Sequence, residues 1–332
     1  MSDLRYAFSS GLVGEVRDRF TAYHHPRSLE ERCLKLSQID GVEGVELLYP
    51  HDFASLDEVQ EALARSGLKC AGVNLNLKAE SKFHGGSFTS RDPGVRKEAA
   101  EYGIAAVEMA SALGVNLITV CPLADGTDYP FEADYRLQWE RLLEWLEVVS
   151  SQRADVRIAL EYKPNEPRCH VILPNVGVCL HACHESGREN VGVTFDVGHA
   201  IYAGEVPAQS ISFLAGSNKL FHVHVNDNYR NWDWDLLPGL VNYWDWIECM
   251  LYLERAAFDG WFVCDVFPTR LGPEQCVAAS YRAITHAQRL LDRLDRKVLW
   301  ELIDRGDVAS TASYIQGVIE SDPRAARTEA AE

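Results

Sequence analysis

The stretch FHVHVNDNYRNWDWDLLPG, from Phe221 to Gly239, gathers His224, Asp227, Asp233 and Asp235 into one short span with two tryptophans. Its opening residues alternate. Phe221, Val223 and Val225 interleave with His222, His224 and Asn226, a period of two that sends neighbours to opposite faces of a strand. A lone Asp-x-Asp is ordinary loop chemistry, so the rest of the chain decides its meaning. LEYKPNEPR places Glu161 and Lys163 two apart, on one strand face, and FDVGH supplies Asp196 and His199. CDVFPTR supplies Asp265, and LYPHDF supplies His51. Any one of these acids inside an apolar run reads equally well as a buried, paired structural carboxylate. Several gathered at one place would repel one another unless cations neutralised them. Carboxylate oxygens with one or two imidazoles suit Mg, Mn or Co, and none of the candidates is a thiolate.

The elements that carry these residues form a regular series. Short apolar runs occur at Tyr6–Leu12, Gly44–Pro50, Lys69–Asn76, Asn116–Pro122, Arg157–Lys163, Val191–Val197, Leu220–Asn226 and Trp261–Phe267. Between them lie helical patterns such as SLEERCLKLSQI, RKEAAEYGIAAVEMASAL, YRLQWERLLEWLEVVSSQ and NYWDWIECMLYLERAAF. Each gap accommodates a helical crossover between parallel strands. The series predicts an α/β fold, a (β/α)8 TIM barrel with a C-terminal helical extension. A doubly wound open sheet is the alternative, but no glycine-rich dinucleotide fingerprint follows the first strand. In such a barrel the chemistry sits at the C-terminal ends of the strands, and the candidate residues fall there.

Composition narrows the partners. Of the 332 residues 47% are hydrophobic, ample for one large core. The net charge of −17 offers no basic footprint for a nucleic-acid backbone. No apolar run is long enough to span a bilayer, and MSDLRYAFSSGLVGEVRDRF has charges where the apolar core of a signal peptide would stand. The nine cysteines are scattered, several in strand-like runs, which suits buried thiols in a reducing cytoplasm. The expected organisation is a barrel over residues 1–290 and a helical extension over 291–332 ending in a disordered DPRAARTEAAE tail. The amphipathic segment Leu290–Ser321 is expected to pack on a neighbouring copy in a homo-oligomer, a tetramer.

At the ligand-type residues the sequence resembles the xylose isomerase-like superfamily, in particular its two-metal aldose–ketose isomerases. EYKPNEPR is similar to the fifth-strand motif of xylose isomerases, with its metal-binding Glu and catalytic Lys. WDWDLLPG resembles their Asp-x-Asp segment, DVFPTR their eighth-strand Asp with a Pro-x-Arg tail, and FHGGSFTSRDPGVRKEA the segment after their third strand. The resemblance runs from about Gly44 to Arg270. It implies a first metal on Glu161, Asp196, His224 and Asp265. It implies a second on Asp196, His199, Asp233 and Asp235, giving two divalent ions (Mn, Mg or Co). Lys163 and Asp235 would be catalytic, and His51 stands where xylose isomerases keep a ring-opening His. Departures are visible too: His224 replaces the Asp of xylose isomerases and agrees with L-rhamnose isomerases, Pro122 replaces a Trp of both, and Ala54 replaces the Asp that accompanies the ring-opening His. The C-terminal helices resemble the extension that clasps neighbouring subunits.

The implied function is isomerisation of a small sugar by a metal-assisted 1,2-hydride shift, with no organic cofactor. The alternative is a single-metal keto-sugar 3-epimerase, or a sugar-bond-cleaving enzyme of the same superfamily. A sugar-binding barrel without activity ranks below both, since no ligand is missing. CLHACHES brings Cys179, His181, Cys183 and His184 together, but Cys179 and Cys183 lie four apart on an apolar helical pattern and read as buried thiols rather than a zinc site. His222 shares a strand face with His224 and reads equally as a support for it or as a substrate contact. Glu166 and Arg168 read as orienting the Lys163 loop. An aromatic of the loop after the third strand, Phe83 or Phe88, would close a neighbour's site in xylose isomerases.

Overall fold

The computed structural model describes residues 4–17, 20–166 and 169–321. Eight parallel strands close into a barrel: β1 (Arg5–Ser9), β2 (Val42–Tyr49), β3 (Lys69–Leu75), β4 (Leu117–Val120), β5 (Arg157–Glu161), β6 (Val191–Asp196), β7 (Leu220–Val225) and β8 (Trp261–Cys264). Each strand pairs with its sequence neighbours, and β1 closes the ring by pairing with both β8 and β2. Every strand lies on a run expected from the alternation of apolar segments. The first is shorter than its apolar run. After Ser9 the chain tightens into a 3-10 turn, Ser10–Val13, which lets the Ser10 carbonyl accept from Arg32 at 3.0 Å and the Ser10 hydroxyl donate to Asp52.

Local chemistry sets where the helices begin. Ser28 and Glu31 form a reciprocal cap on α1 (Leu29–Leu36), and Ser55 accepts from the Glu58 amide at the start of α2 (Leu56–Ser66). Asp92 caps α3 (Pro93–Ala112), whose first residue is a proline with a φ already suited to a helix. Asp134 caps α4 (Tyr135–Gln152) and Asn175 caps α5 (Val176–Glu185). The short α6 (Val197–Tyr202) and α7 (Pro207–Gly216) follow β6, and α8 (Tyr243–Arg255) follows β7. A three-stranded antiparallel sheet, made by Gly126–Thr127, Asn165–Glu166 and Cys169–Val171, joins the loops after β4 and β5.

Along the barrel strands, Ala7, Ala159 and Val263 on the inner face and Val73, Ile118, Phe195 and Val223 on the outer face are all buried, as strands covered on both faces require. Thr119 and Thr194 answer each other's hydroxyls at 2.6 Å, leaving neither polar group unpaired. Phe83 and Phe88, either of which would close a neighbour's site by resemblance, are both buried in their own chain, Phe88 stacked on Trp145 at 4.7 Å. All nine cysteines are free, and Cys179 and Cys183 are buried.

The chain divides into two compact units, one ending at Tyr281 and the other beginning at Arg282, so the division falls inside α9 (Pro273–Arg293), ahead of residue 290. In the second unit, α10 (Arg296–Asp304) and α11 (Val308–Glu320) are linked through the Tyr314 hydroxyl, which accepts from the Asp295 amide at 2.7 Å. The segment expected to be a disordered tail lies outside the described residues, as does Arg168. Among the described residues no helix is long and apolar enough to cross a membrane.

Candidate active site

The C-terminal ends of β5, β6, β7 and β8 carry Glu161, Asp196, His224 and Asp265, and one ligand atom of each lies within 4.8 Å of all the others. Pairing register explains part of this. His224 and Asp196 are partners across β6 and β7, so their side chains leave adjacent strands at the same height. His224 Nδ1 is 3.3 Å from Glu161, 3.5 Å from Asp265 and 3.9 Å from Asp196. Asp196 also works locally. As N-cap of α6 it accepts from the His199 amide at 2.7 Å, and the Asn226 side chain donates to its other oxygen at 2.9 Å. Capping α6 therefore brings His199 beside the group. Gly198 is required for the fit, because a Cβ there would stand 1.8 Å from Asn226 Oδ1.

A second group adjoins the first. His199 Nδ1 is 3.2 Å from Glu161, and its Nε2 is 3.3 Å from Asp233. Lys163 Nζ lies 2.7 Å from Asp233 and 2.6 Å from Glu166, whose carboxylate also meets Lys78 at 3.5 Å. The loop that bears Asp233 and Asp235 is clasped at its base by Asp227. This carboxylate accepts from the Val241 and Asn242 amides, and an isolated bridge joins Asp227 to Leu236. Asp227, a ligand-type residue by composition, is thus the closure of the loop. Asp235 takes a left-handed backbone, φ 46°, and its carbonyl accepts from the Phe267 amide at 3.0 Å, tying the loop to the end of β8. His51 is exposed on the turn after β2 and belongs to none of the groups described above, and the buried residue there is Asp52, paired with Arg32 at 2.6 Å.

Glu46, in the middle of β2, is the residue that sequence reasoning missed. It is fully buried, and one oxygen meets His222 Nε2 at 2.9 Å and His224 Nε2 at 3.1 Å, while the other accepts from Asn74 at 3.2 Å. A carboxylate can only accept, so each imidazole presents its Nε2–H to Glu46. That leaves His224 Nδ1 facing the other carboxylates. The only signal was one acid in the apolar run GVELLYP. His222 is accordingly a partner of Glu46 inside the barrel.

The electrostatics of the site are unbalanced. Burial drives Asp235 well above the usual carboxylate range, reinforced by Asp233 and Asp265. Burial also raises Asp265, to about 7, with Glu161 and Asp196 adding to it against the pull of His224. Burial lowers the pKa of His199, but Asp196 and Asp233 outweigh it and push it up to about 10. Burial would raise Glu46, yet His224 and His222 hold it below its ordinary value. Two buried atoms, Asp233 Oδ1 and His199 Nδ1, have no hydrogen-bond partner. An unpartnered carboxylate oxygen beside raised carboxyls is costly without a cation, and this donor set of oxygens and imidazole nitrogens fits a hard divalent ion.

The Xylose isomerase-like TIM barrel family matches residues 34–295. A xylose isomerase of Thermus thermophilus is 29% identical over 238 residues, 70% of this chain and 62% of that enzyme, so the chain spans less than two thirds of that relative's length. Among solved structures, a D-tagatose 3-epimerase-like protein superposes with a TM-score of 0.67 at 20% identity, covering 87% of this chain and 98% of that one. The IOLI protein, solved with a binding zinc atom, superposes at 0.63 with 17% identity over 86% of this chain and 98% of that one. At these identities the superpositions show a shared fold, and the sequence match over most of the barrel shows kinship. The chain belongs to the xylose isomerase-like TIM barrel family.

Proposed function

We propose that this protein is a sugar isomerase that interconverts an aldose and a ketose by a divalent-metal-assisted 1,2-hydride shift. The observation that supports it is the second group, His199, Asp233 and Lys163, set directly against the first one. In this reading Glu161, Asp196, His224 and Asp265 hold one ion, and Asp196, His199, Asp233 and Asp235 hold another. Mn, Mg or Co held there would act as a Lewis acid toward sugar oxygens. Lys163, kept charged by Asp233 and Glu166 against the opposing effect of burial, faces the developing negative charge on the C1 oxygen. With a cation beside it, the Asp235 carboxyl is ionised and takes the proton of the C2 hydroxyl. The C2 hydrogen then moves with its electron pair to C1, and the proton taken by Asp235 returns to the C1 oxygen, so the sugar's own carbons exchange oxidation levels and no organic cofactor enters.

The alternative, a single-metal 3-epimerase, has one observation in its favour: the four-residue group is complete by itself. Deuterium at C2 separates the two. The metal-loaded protein, offered C2-deuterated pentoses, hexoses and deoxyhexoses, is expected to deliver the label to C1 of the ketose. Loss of the label to solvent, or an epimer as sole product, would replace this reading with the epimerase.

Glu46 has a support role that is separately measurable. Glu46→Gln removes the charge that fixes the tautomer of His224. Such outer partners of metal-binding histidines typically govern affinity by about 10–100-fold. The expected result is that much weaker binding of the more tightly held ion in competition with a fluorescent chelator. Unchanged affinity in a folded variant would show that His224 needs no such support.

A further inference from the structure

We propose that the N-terminal mouth of the barrel, opposite the metal-type groups, is a binding site for a phosphate-class oxyanion held between Arg5 and Arg157. A cavity of about 520 Å³ opens there. Its walls are built by the first residues of strands: Arg5 begins β1, Lys69 begins β3, Arg157 begins β5 and Trp261 begins β8. Three cations thus line one cavity in a protein of net charge −17, and Asp259 is the single acid among the described lining residues.

The two guanidinium groups are held without being neutralised. Arg5 lies over the Trp261 ring at 5.5 Å and Arg157 over the Phe221 ring at 5.2 Å. A ring contact of this kind does not neutralise a guanidinium, and its N–H groups remain donors for bidentate contact with an oxyanion. Among the described residues neither side chain, nor that of Lys69, has a hydrogen bond or an ion pair, and Arg157 Nε is buried with no partner. A polar plug serving only stability would satisfy these donors, because a buried unpaired N–H costs free energy. Asp259 is near enough to influence Arg157 yet makes no ion pair with it. Burial disfavours the charge that Arg157 carries, Asp259 favours it, and Arg5, with a smaller effect than Asp259, disfavours it again. An anion between the two arginines would remove both penalties. The cavity is larger than a phosphate ion requires and falls within the range of small-molecule sites, so a phosphate monoester with an organic body also fits. This inference does not depend on the reaction assigned to the other end of the barrel.

The test is calorimetric titration of the full chain, metal-loaded, with inorganic phosphate and separately with a simple phosphate monoester. Saturable binding is expected with a Kd at or below about 1 mM, weakening as salt is added. Arg157→Gln and Arg5→Gln are each expected to weaken it about tenfold or more. Asp265→Asn, at the opposite end, is expected to leave it unchanged, which separates this site from anion capture by metal ions. Without phosphate, Arg157→Gln is expected to melt no lower than the parent, because it removes a charge that burial disfavours and a buried Nε–H that has no partner. If either arginine variant fails to fold, Lys69→Gln, at an exposed position, is read instead and is expected to weaken binding as well. Tighter binding of the monoester assigns the remaining volume to its organic part, and equal binding assigns the site to free phosphate. No saturable binding, or binding that the arginine variants keep and Asp265→Asn loses, overturns the proposal.

Discussion

A double variant, Asp233→Asn with Asp235→Asn, is expected to bind one equivalent of divalent metal where the parent binds two, and to lose sugar turnover by about 10³-fold or more. The asymmetry follows from the layout of the site. Glu161, Asp196, His224 and Asp265 come from four strand ends of the closed barrel and stay within 4.8 Å of one another without help from the loop. Asp233 and Asp235 come from the loop that Asp227 closes, and they contribute the charge of the second group. Their amides remain polar and nearly isosteric, so the loop keeps its clasp while its negative charge disappears. His199 then loses the Asp233 carboxylate that helps hold it protonated in the absence of metal. Metal counted by inductively coupled plasma spectrometry, alongside turnover of the best substrate in the sugar panel, reads both halves of the expectation. Full activity with a single equivalent of metal would remove the second group from the mechanism.

Lys163→Met is expected to keep both metal equivalents and the sugar affinity while kcat falls by about 10²–10³-fold, the usual loss when one preorganised charge facing a developing oxyanion is removed. The variant is structurally mild for a specific reason. Glu166 retains Lys78 at 3.5 Å, so one of the two carboxylates that Lys163 touches keeps a cation. Asp233 retains His199 at 3.3 Å. Methionine follows the course of the lysine stem in a pocket where the side chain is only 9% accessible. A drop in metal content equal to the drop in rate would instead make Lys163 a structural counter-ion of Asp233, and the assignment to the C1 oxygen would fall.

Much of this architecture was legible in the chain. The barrel strands are mostly apolar, so each of the eight stood out as a short run between helical patterns, and Glu161, Asp196 and Asp265 marked the C-terminal ends of three of them. Glu161, Asp196, His224 and Asp265 could be named together because they recur at the same end of successive strands, which is a local and periodic signal. Helix starts were equally local, set by caps such as Ser28 with Glu31 and Asp134 before α4.

What the sequence left open are contacts across the ring. Glu46 looks like any other acid in an apolar run. It becomes the partner of His222 and His224 only when closure brings the interior of β2 to face that of β7, which is not its neighbour in the sheet. Of the adjacent pair His51 and Asp52, the strand-end position and the resemblance pointed to His51. The turn after β2 buries Asp52 against Arg32 and leaves His51 exposed, a difference that only the folded turn decides. Arg5, Lys69 and Arg157 are unremarkable as the first residues of their strands, and they share one cavity only because strand stagger sets those positions around the same mouth. Residue type and period are properties of a few consecutive positions, so the sequence by itself determined the strands, the helices and the ends at which the acids lie. Which side chains meet depends on the tilt, register and closure of the whole barrel, quantities spread over all its strands, and these the tertiary structure alone decided.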